Sequence, residues 1–338
     1  MSNDKTYIIA ELSANHNHDL EIALKTLKAM HDAGADALKV QTFTPDSMTL
    51  NENQEIFMAR KDSLWKGKKL YDLYREAALP YEWHEKLKAE AENLGLDFFS
   101  TPFDIAGVDF LEKLKVPAYK IASLEINHIP LIEYVASKKK PMIISTGIAT
   151  LADIEMAVNV CRKVGNNDIT LLKCTSAYPA PIEEANLRNI ATLKQMFNVK
   201  AGLSDHTLSL AVPGAAVAMG ATVIEKHFIL ERSMGGVDAA FSLDKNEFST
   251  MVKIVRETEK ALGSDEYQVT EKMKKASISS RSIIVSENIL SGQNFSEQNI
   301  KVLRPGYGLH PSNYNSILGR KARSNIMKGT PLTWEMIA

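Results

Sequence analysis

The sequence has few cysteines and no long hydrophobic run. Cys161 and Cys174 are the only cysteines in 338 residues, too few for a disulfide framework, so a reducing compartment is expected. No apolar stretch approaches the roughly 20 residues that a membrane-spanning helix needs. The initial MSNDKTYIIAEL lacks the cationic and apolar regions of a secretion signal. We therefore expect a soluble cytoplasmic protein.

A large excess of charge of either sign is also missing. The formal net charge is -1, and the lysine clusters at 138–140 and 272–275 are short. Such clusters are typical of solvated surfaces, so neither nucleic acid nor a membrane is expected as a partner. The composition, 45% hydrophobic and 24% charged, is that of an ordinary globular protein.

Short strand-like runs alternate with stretches of helical spacing. The helix-like stretches include 20–34, 83–95 and 151–165, each closed by glycine. The eight apolar runs are YIIAEL (7–12), ALKVQTF (37–43), DFFSTPF (97–103), AYKIAS (118–123), MIISTG (142–147), ITLLKCT (169–175), KAGLSDH (200–206) and TVIEKHF (222–228). This α/β pattern predicts a (β/α)8 TIM barrel over 1–264. A doubly wound open sheet is the alternative, but no Gly-rich turn follows the first run.

The remainder of the chain has a different character. Residues 265–279 are polar and lack periodicity, which predicts a linker. Residues 280–338 contain several turn signals, among them SGQN, RPGYG and KGTP, and short apolar runs. A small β-rich domain is expected there.

The stretch TVIEKHFIL places three ionisable residues inside an apolar run. Glu225 and His227 are two residues apart, so a strand points both in the same direction. At the C-terminal end of a barrel strand, that direction faces the active-site mouth. Lys226 is expected to point outward and extend to solvent.

Two histidines end neighbouring predicted strands. His206 and His227 could share one metal ion, because neighbouring strands lie about 5 Å apart. Imidazole ligands with water in the remaining positions suit Mn, Fe, Co or Zn. The alternative is a pair of ordinary hydrogen-bonded histidines.

Two lysines lie inside apolar runs, Lys39 in LKVQT and Lys120 in YKIAS. A buried lysine needs an anion, so a phosphate or carboxylate ligand is expected. Hydroxyls at the strand ends would assist: Thr101, Ser123, Ser145 and Ser204. A Schiff base on Lys120 and pairing of the lysines with Glu11 or Glu125 are the alternatives.

Glu11 ends the first predicted strand beside a polar NHNHD stretch. A carboxylate in a crowded mouth is suited to act as a general base or to orient water. Asp19, by contrast, is expected to cap the following helix.

The motifs AELSANHNH, KVQTF, STPFD, YKIAS, STGIAT, KCTSAYPAP, GLSDHT and IEKHF resemble, in order, those of the sialic acid synthase family. The C-terminal region resembles the family's antifreeze-like (SAF) domain. The resemblance covers nearly the whole chain. It implies condensation of phosphoenolpyruvate (PEP) with an acylamino sugar to a nine-carbon 2-keto acid, with release of phosphate.

The resemblance also implies residue roles. His206 and His227 match metal ligands, usually for Mn2+, with Mg2+ or Co2+ possible; Glu11, Glu225 and Tyr178 match the catalytic positions. The PEP-binding positions are Lys39, Thr101, Lys120, Ser123, Ser145, Ser176 and Ser204. The sugar-binding positions are Gln41, Glu125, Tyr178, Asp238 and Arg304. In the family the arginine reaches the partner subunit's barrel, which implies a domain-swapped homodimer.

Two departures from the family pattern bear on the sugar. Ser176 stands where asparagine is typical, and Ala239 follows Asp238 where histidine is typical. Both indicate the branch whose sugar is 2,4-diacetamido-2,4,6-trideoxy-L-altrose, which has no C6 hydroxyl. N-acetylneuraminate-type or legionaminate-type sugars are the alternative. A Schiff-base aldolase or a binding protein without activity would be a different class of function.

Overall fold

The computed structural model describes residues 5–264 and 266–338. Contacts between Cα atoms divide the chain into two compact units, Met1–Gly263 and Ser264–Ala338. In the first unit eight parallel strands form a closed barrel in sequential order. The predicted TIM barrel is thereby confirmed, and the open doubly wound sheet is wrong.

Every apolar run singled out above contains a strand. The strands are β1 Tyr7–Glu11, β2 Ala37–Thr42, β3 Asp97–Pro102, β4 Tyr119–Ile121, β5 Met142–Ser145, β6 Ile169–Cys174, β7 Lys200–Asp205 and β8 Val223–His227. The helices of this unit are α1 Leu20–Asp32, α2 Pro45–Met48, α3 Leu70–Ala77, α4 His84–Asn93, α5 Ile105–Lys113, α6 Ile129–Ser137, α7 Leu151–Lys163, α8 Asn189–Phe197, α9 Ala211–Ala218 and α10 Lys245–Leu262.

Helix α1 illustrates how the sequence determines the outer layer. Ala23, Leu27 and Met30 lie on one face and are fully buried, as the 3.6-residue spacing predicts. The Asp19 carboxylate accepts hydrogen bonds from the first backbone N–H groups of the helix, which confirms the predicted cap. Gly34 follows with φ +90°, a conformation that favours glycine.

Strand register brings the polar strand ends to one end of the barrel. Glu11 is paired with Lys39 of β2 on one side and with His227 of β8 on the other. The same register pairs Ser204 with Glu225 across β7 and β8. Parallel strands end together, so all these side chains surround one mouth.

The C-terminal unit has its own small core. Strands β9 (Ser282–Val285) and β10 (Ile300–Leu303) form an antiparallel pair. Ile283, Phe295 and Leu332 are among the apolar side chains buried around it. The unit also contains helix α12, Tyr314–Ile317.

The segment predicted as a linker includes a short helix. This helix, α11 (Glu271–Ser277), is capped by Thr270 and has no buried residue. The domain limits at 264 and 280 stay a prediction. Within the residues that the structure describes, no helix is long and apolar enough to cross a membrane.

Candidate active site

The barrel mouth gathers nearly all the residues that the sequence singled out. The apolar part of each run is buried in the barrel, and the polar residue at the C-terminal end of the strand therefore lies at the mouth. The buried polar side chains here include Glu11, Lys39, Thr101, Lys120, Ser123, Ser145, Ser204, His206, Glu225 and His227.

Two lysines and two glutamates form the centre of the site. Lys39 forms an ion pair with Glu11, and its Nζ also lies 3.7 Å from Glu225 Oε1. Lys120 Nζ lies 3.9 Å from the same Glu225 oxygen. The pairing of Lys39 with Glu11, one of the alternatives left open by the sequence, is therefore present. Glu125, the other anticipated partner, is replaced by Glu225, because the register of β8 brings that carboxylate between the lysines.

The lysines also contact neutral donors and acceptors. Lys120 Nζ donates to Ser145 Oγ at 2.7 Å and to the Ile121 carbonyl at 2.8 Å. Lys39 Nζ donates to Thr101 Oγ1 at 3.3 Å. These contacts hold two ammonium groups and two hydroxyls around the same space, which suits a ligand with carboxylate or phosphate groups.

The two glutamates differ in acidity although they are neighbours. Burial raises the pKa of Glu11 to about 7, against the lowering effect of Lys39 and with a further raising effect of Glu225. Burial also acts on Glu225, but Lys120 and Lys39 outweigh it and lower its pKa. Carboxyl groups with separated pKa values can serve as acid and base in one site.

Hydroxyl groups and a glycine form a compact cradle beside Lys120. The backbone N–H of Gly147 donates to Ser123 Oγ. Ser176 Oγ is buried and has no hydrogen-bond partner among the described residues. A Cβ on Gly147 would collide with the oxygens of both serines. Gly147, which lies just after β5, was not singled out from the sequence. The sequence shows the glycine but not the two serines that approach it.

The two histidines are adjacent, as the sequence predicted. Their ring centroids are 5.3 Å apart. His206 Nδ1 lies 3.0 Å from the Thr175 carbonyl, an arrangement that leaves Nε2 free for a ligand. Within the described part of the chain, His227 Nδ1 is buried without a hydrogen-bond partner, and burial lowers the pKa of His227 well below its usual value. A neutral imidazole with an unsatisfied nitrogen fits a metal ion.

Among residues 5–264 and 266–338 no group of three or more His, Cys, Asp or Glu side chains is arranged to hold a metal. Cys174 Sγ lies 3.8 Å from His206 Nδ1. Burial lowers the pKa of His206, but the contact with Cys174 outweighs it, so the net shift is upward.

An aromatic wall stands against the histidines. The ring of Tyr178 is 4.6 Å from that of His206, and Phe241 is 4.9 Å from His227 and 5.0 Å from Tyr178. Trp65 is 6.1 Å from Tyr178 and donates through Nε1 to the Val237 carbonyl at 3.0 Å. Phe241 and Trp65 were missed, because only the folded chain brings these distant loops together.

The predicted sugar-binding residues divide between the two units. Gln41 Nε2 donates to Ser13 Oγ at 2.9 Å, and Asp238 accepts from the Ala14 N–H at 3.3 Å. Glu125 Oε2 is buried without a partner in the described part of the chain, and burial raises the pKa of Glu125 to about 7. Arg304 belongs to the C-terminal unit and is exposed there, so its part in the site stays a prediction.

One expectation about the opening stretch is wrong. Lys226 does not extend to solvent but is fully buried, with Nζ 2.5 Å from Asp205 Oδ2. The alternation of the strand correctly placed Lys226 on the outer face. The Asp205 carboxylate of β7 lies against that face. Lys226 forms an ion pair with it instead of contacting solvent.

The chain belongs to the NeuB family, whose model matches residues 26–267. A SAF domain matches residues 280–338. The predicted membership of the sialic acid synthase family, with its C-terminal SAF domain, is confirmed.

Individual relatives are similar to this chain over most of its length. The chain is 48% identical to the pseudaminic acid synthase of Campylobacter jejuni, covering 97% of this chain and 95% of that protein. It is 46% identical to the pseudaminic acid synthase of Helicobacter pylori, covering 96% of each. The crystal structure of N-acetylneuraminic acid synthetase from Leptospira borgpetersenii, in complex with citrate, matches with TM-score 0.73 at 32% identity, covering 81% of this chain and 90% of that chain.

Proposed function

We propose that this chain condenses PEP with 2,4-diacetamido-2,4,6-trideoxy-L-altrose to give pseudaminic acid and phosphate. One observation carries the proposal: the chain is 46–48% identical, over nearly its full length, to pseudaminic acid synthases. The buried lysines and hydroxyls at the barrel mouth supply the anion-binding groups that this chemistry requires.

PEP would occupy the space between the lysines and the hydroxyl cradle. Lys39 and Lys120 hold the negative charge of its carboxylate and phosphate, and hydroxyls complete the contacts. The proposed PEP contacts are Lys39, Thr101, Lys120, Ser123, Ser145, Ser176 and Ser204. Because PEP would enter a preformed set of donors, little reorganisation is needed when charge develops during the reaction.

Carbon–carbon bond formation comes from PEP itself. C3 of PEP attacks the aldehyde carbon of the open-chain sugar, and the aldehyde oxygen takes a proton from Glu11, whose pKa is raised to about 7. Water adds at C2, where Glu11, now a carboxylate, accepts a water proton as general base. The resulting tetrahedral centre collapses to the 2-keto acid as its C2–O bond to phosphate breaks, and its hydroxyl proton leaves with the phosphate. Glu225, with its lowered pKa, remains ionised between the lysines and keeps them oriented.

A divalent cation, Mn2+ or alternatively Mg2+ or Co2+, would be held by His206 and His227. The unpartnered His227 nitrogen and the lowered pKa of that imidazole support this assignment. When bound, the ion supplies Lewis-acid polarisation of an oxygen ligand. The aromatic ring of Phe241 packs against His227 and limits the access of bulk water to this side of the mouth.

The sugar would lie toward the aromatic wall. Gln41, Glu125, Tyr178 and Asp238 supply polar contacts, and Tyr178 also contributes an apolar ring face next to His206. A small residue, Ala239, follows Asp238. An apolar wall of this kind favours a sugar with a C6 methyl group over one with a hydroxyl, because a hydroxyl would lose hydrogen bonds to water there.

We further propose a cytoplasmic homodimer in which Arg304 completes the partner's site. Large apolar side chains are exposed in the segments after β4, β5, β6 and β7: Leu124, Ile148, Leu151, Ile182 and Leu208. Exposed apolar side chains that lie together are typical of a protein-binding surface. These residues follow four consecutive strands and lie on one side of the mouth, where a partner subunit would have to contribute Arg304.

An isotope experiment tests the proposed chemistry. PEP carrying 18O in the bridging C2–O position is incubated with the altrose sugar and Mn2+. Cleavage of the C–O bond predicts that the label appears in phosphate and that the keto oxygen of the product comes from water. Label retained in the sugar product would contradict the mechanism. Borohydride trapping with pyruvate separates the aldolase alternative, which alone predicts a stable adduct on Lys120.

A further inference from the structure

A buried ion pair joins Asp205 and Lys226, the residues that immediately precede the two histidines in the sequence. Asp205 is the last residue of β7, and its register partner is Lys226 of β8. Strand alternation places both side chains on the opposite face from Ser204 and Glu225, which contact each other at the mouth. Lys226 is fully buried and Asp205 is only 3% exposed.

The pair connects residues on both sides of His206. Lys226 Nζ lies 2.5 Å from Asp205 Oδ2 and also donates to the Thr207 carbonyl. Asp205 in turn accepts from the Thr207 N–H at 2.9 Å and from Thr207 Oγ1 at 3.2 Å. The turn 205–207 that carries His206 is thus fixed from β8 by the residue adjacent to His227.

Stability alone is a weak reason for such a pair. Removing two charges from water costs free energy that their attraction only partly returns, and apolar residues of similar volume often serve as well. Apolar contacts, however, do not fix the orientation of the groups that make them. An ammonium group and a carboxylate with defined hydrogen bonds fix the backbone on which a ligand is mounted.

We propose that the Asp205–Lys226 pair is a positioning device that holds His206 and His227 at the separation needed to share one divalent cation. The proposal rests on the metal assignment in the proposed function. Asp205, Lys226 and Thr207 touch neither substrate nor metal in this account. They act through the backbone that carries the two imidazoles, whose ring centroids are 5.3 Å apart.

The test is the Mn2+ affinity of a neutral double variant, Asp205→Asn with Lys226→Met. Removing both charges avoids leaving one of them buried and unpaired. Mn2+ dissociation constants are measured by electron paramagnetic resonance of free Mn2+, without substrates, alongside the melting temperature. The expected result is a 10- to 100-fold weaker Mn2+ affinity, roughly the cost of losing a group that orients metal ligands.

A matched control removes an ion pair at the other end of the barrel. Asp36, just before β2, pairs with Arg256 of α10 at 2.9 Å. The double variant Asp36→Asn with Arg256→Met should lower the melting temperature without changing the Mn2+ dissociation constant. Thr207→Val is a milder variant that removes the hydroxyl's hydrogen bonds to Asp205 and from the Ser209 N–H, and it should weaken Mn2+ binding several-fold even if the double variant does not fold.

The outcomes are distinguishable. Wild-type Mn2+ affinity in a folded Asp205→Asn/Lys226→Met variant would overturn the positioning proposal, as would wild-type affinity in Thr207→Val should the double variant not fold. Equal weakening in the Asp36/Arg256 control would also overturn it, because the effect would then follow general stability. If the wild-type protein itself fails to bind Mn2+, the metal assignment fails first and the positioning role falls with it.

Discussion

At the scale of single residues, the site consists of buried polar groups whose partners are incomplete. Ser176 Oγ, Glu125 Oε2, Glu225 Oε2 and His227 Nδ1 are buried without hydrogen-bond partners within the described ranges. An unsatisfied buried polar group costs free energy. Its presence at a mouth is explained by ligands that satisfy it, and each such residue therefore yields a separate expectation.

Ser176→Ala separates ligand binding from stability. The hydroxyl forms no hydrogen bond with any residue that the structure describes, so its removal should leave the melting temperature unchanged or slightly higher. PEP affinity, measured by calorimetry, should fall about tenfold, the value of one hydrogen bond to a charged ligand. Ser145→Ala is the matched contrast, because that hydroxyl accepts from Lys120 and its loss should lower both quantities. Unchanged PEP affinity in Ser176→Ala would remove Ser176 from the PEP site.

Glu125 should make the stability of the free protein depend on pH. Burial raises its pKa to about 7, against about 4.3 in an unfolded chain. The resulting stabilisation is fully present below the unfolded value and is lost as the pH rises through 7. Glu125→Gln should remove this loss, on the order of 3 kcal/mol between pH 4.5 and 8.

Urea unfolding at pH 4.5 and pH 8 measures the effect on the free energy of unfolding. The exposed Glu133 of α6 provides a control, and Glu133→Gln should retain the wild-type pH dependence. If Glu125→Gln also retains it, the Glu125 carboxyl is solvated in solution and its raised pKa is wrong.

At the scale of elements, the strands were predictable and their surroundings were not. All eight runs became strands because short apolar segments ending in polar residues leave few alternatives in a parallel barrel. Strand alternation also predicted that Glu225 and His227 share a face. The carboxylate that pairs with Lys226 comes from β7, and the ring that packs on His227 is that of Phe241. Neither relation has a local signal, and the same holds for Trp65, whose partner Val237 is distant in the sequence.

Gly147→Ala tests the cradle that follows β5. The added Cβ would collide with Ser123 Oγ and Ser176 Oγ, so one or both hydroxyls must move. We expect the KM for PEP to rise at least tenfold, because the displaced hydroxyls lose hydrogen bonds to a charged ligand, with little change in the sugar KM. Adding Ser176→Ala to this variant removes one of the two collisions. The loss of PEP binding free energy in the double variant should therefore be smaller than the sum of the losses in the two single variants. Full additivity would contradict a shared cradle.

At the scale of the whole molecule, the sequence predicts two domains, with a boundary where apolar periodicity ends. It cannot show whether Arg304 acts in a partner's barrel, because that proposal depends on assembly and comes from resemblance alone. The exposed apolar side chains on one side of the mouth support a homodimer, and mixing inactive variants tests it.

His206→Ala and Arg304→Ala should each be inactive alone and active when mixed after subunit exchange. In a domain-swapped dimer the mixed species has one intact site, formed by the barrel of one variant and the arginine of the other. Random exchange predicts about a quarter of wild-type activity. No recovery, with exchange verified by mass spectrometry of the dimers, would show that Arg304 acts within its own chain. Full activity of Arg304→Ala alone would show that Arg304 takes no part in the reaction.

We propose that this barrel joins PEP to a diacetamido trideoxy sugar. Phosphate release from PEP with Mn2+ tests this, with 2,4-diacetamido-2,4,6-trideoxy-L-altrose compared with N-acetylmannosamine at equal concentrations. We expect release with the altrose sugar, at least about a hundredfold faster in kcat/KM than with N-acetylmannosamine, since the aromatic wall disfavours extra hydroxyls. Preference for N-acetylmannosamine would contradict the proposed sugar, and no release with either would contradict the proposed reaction.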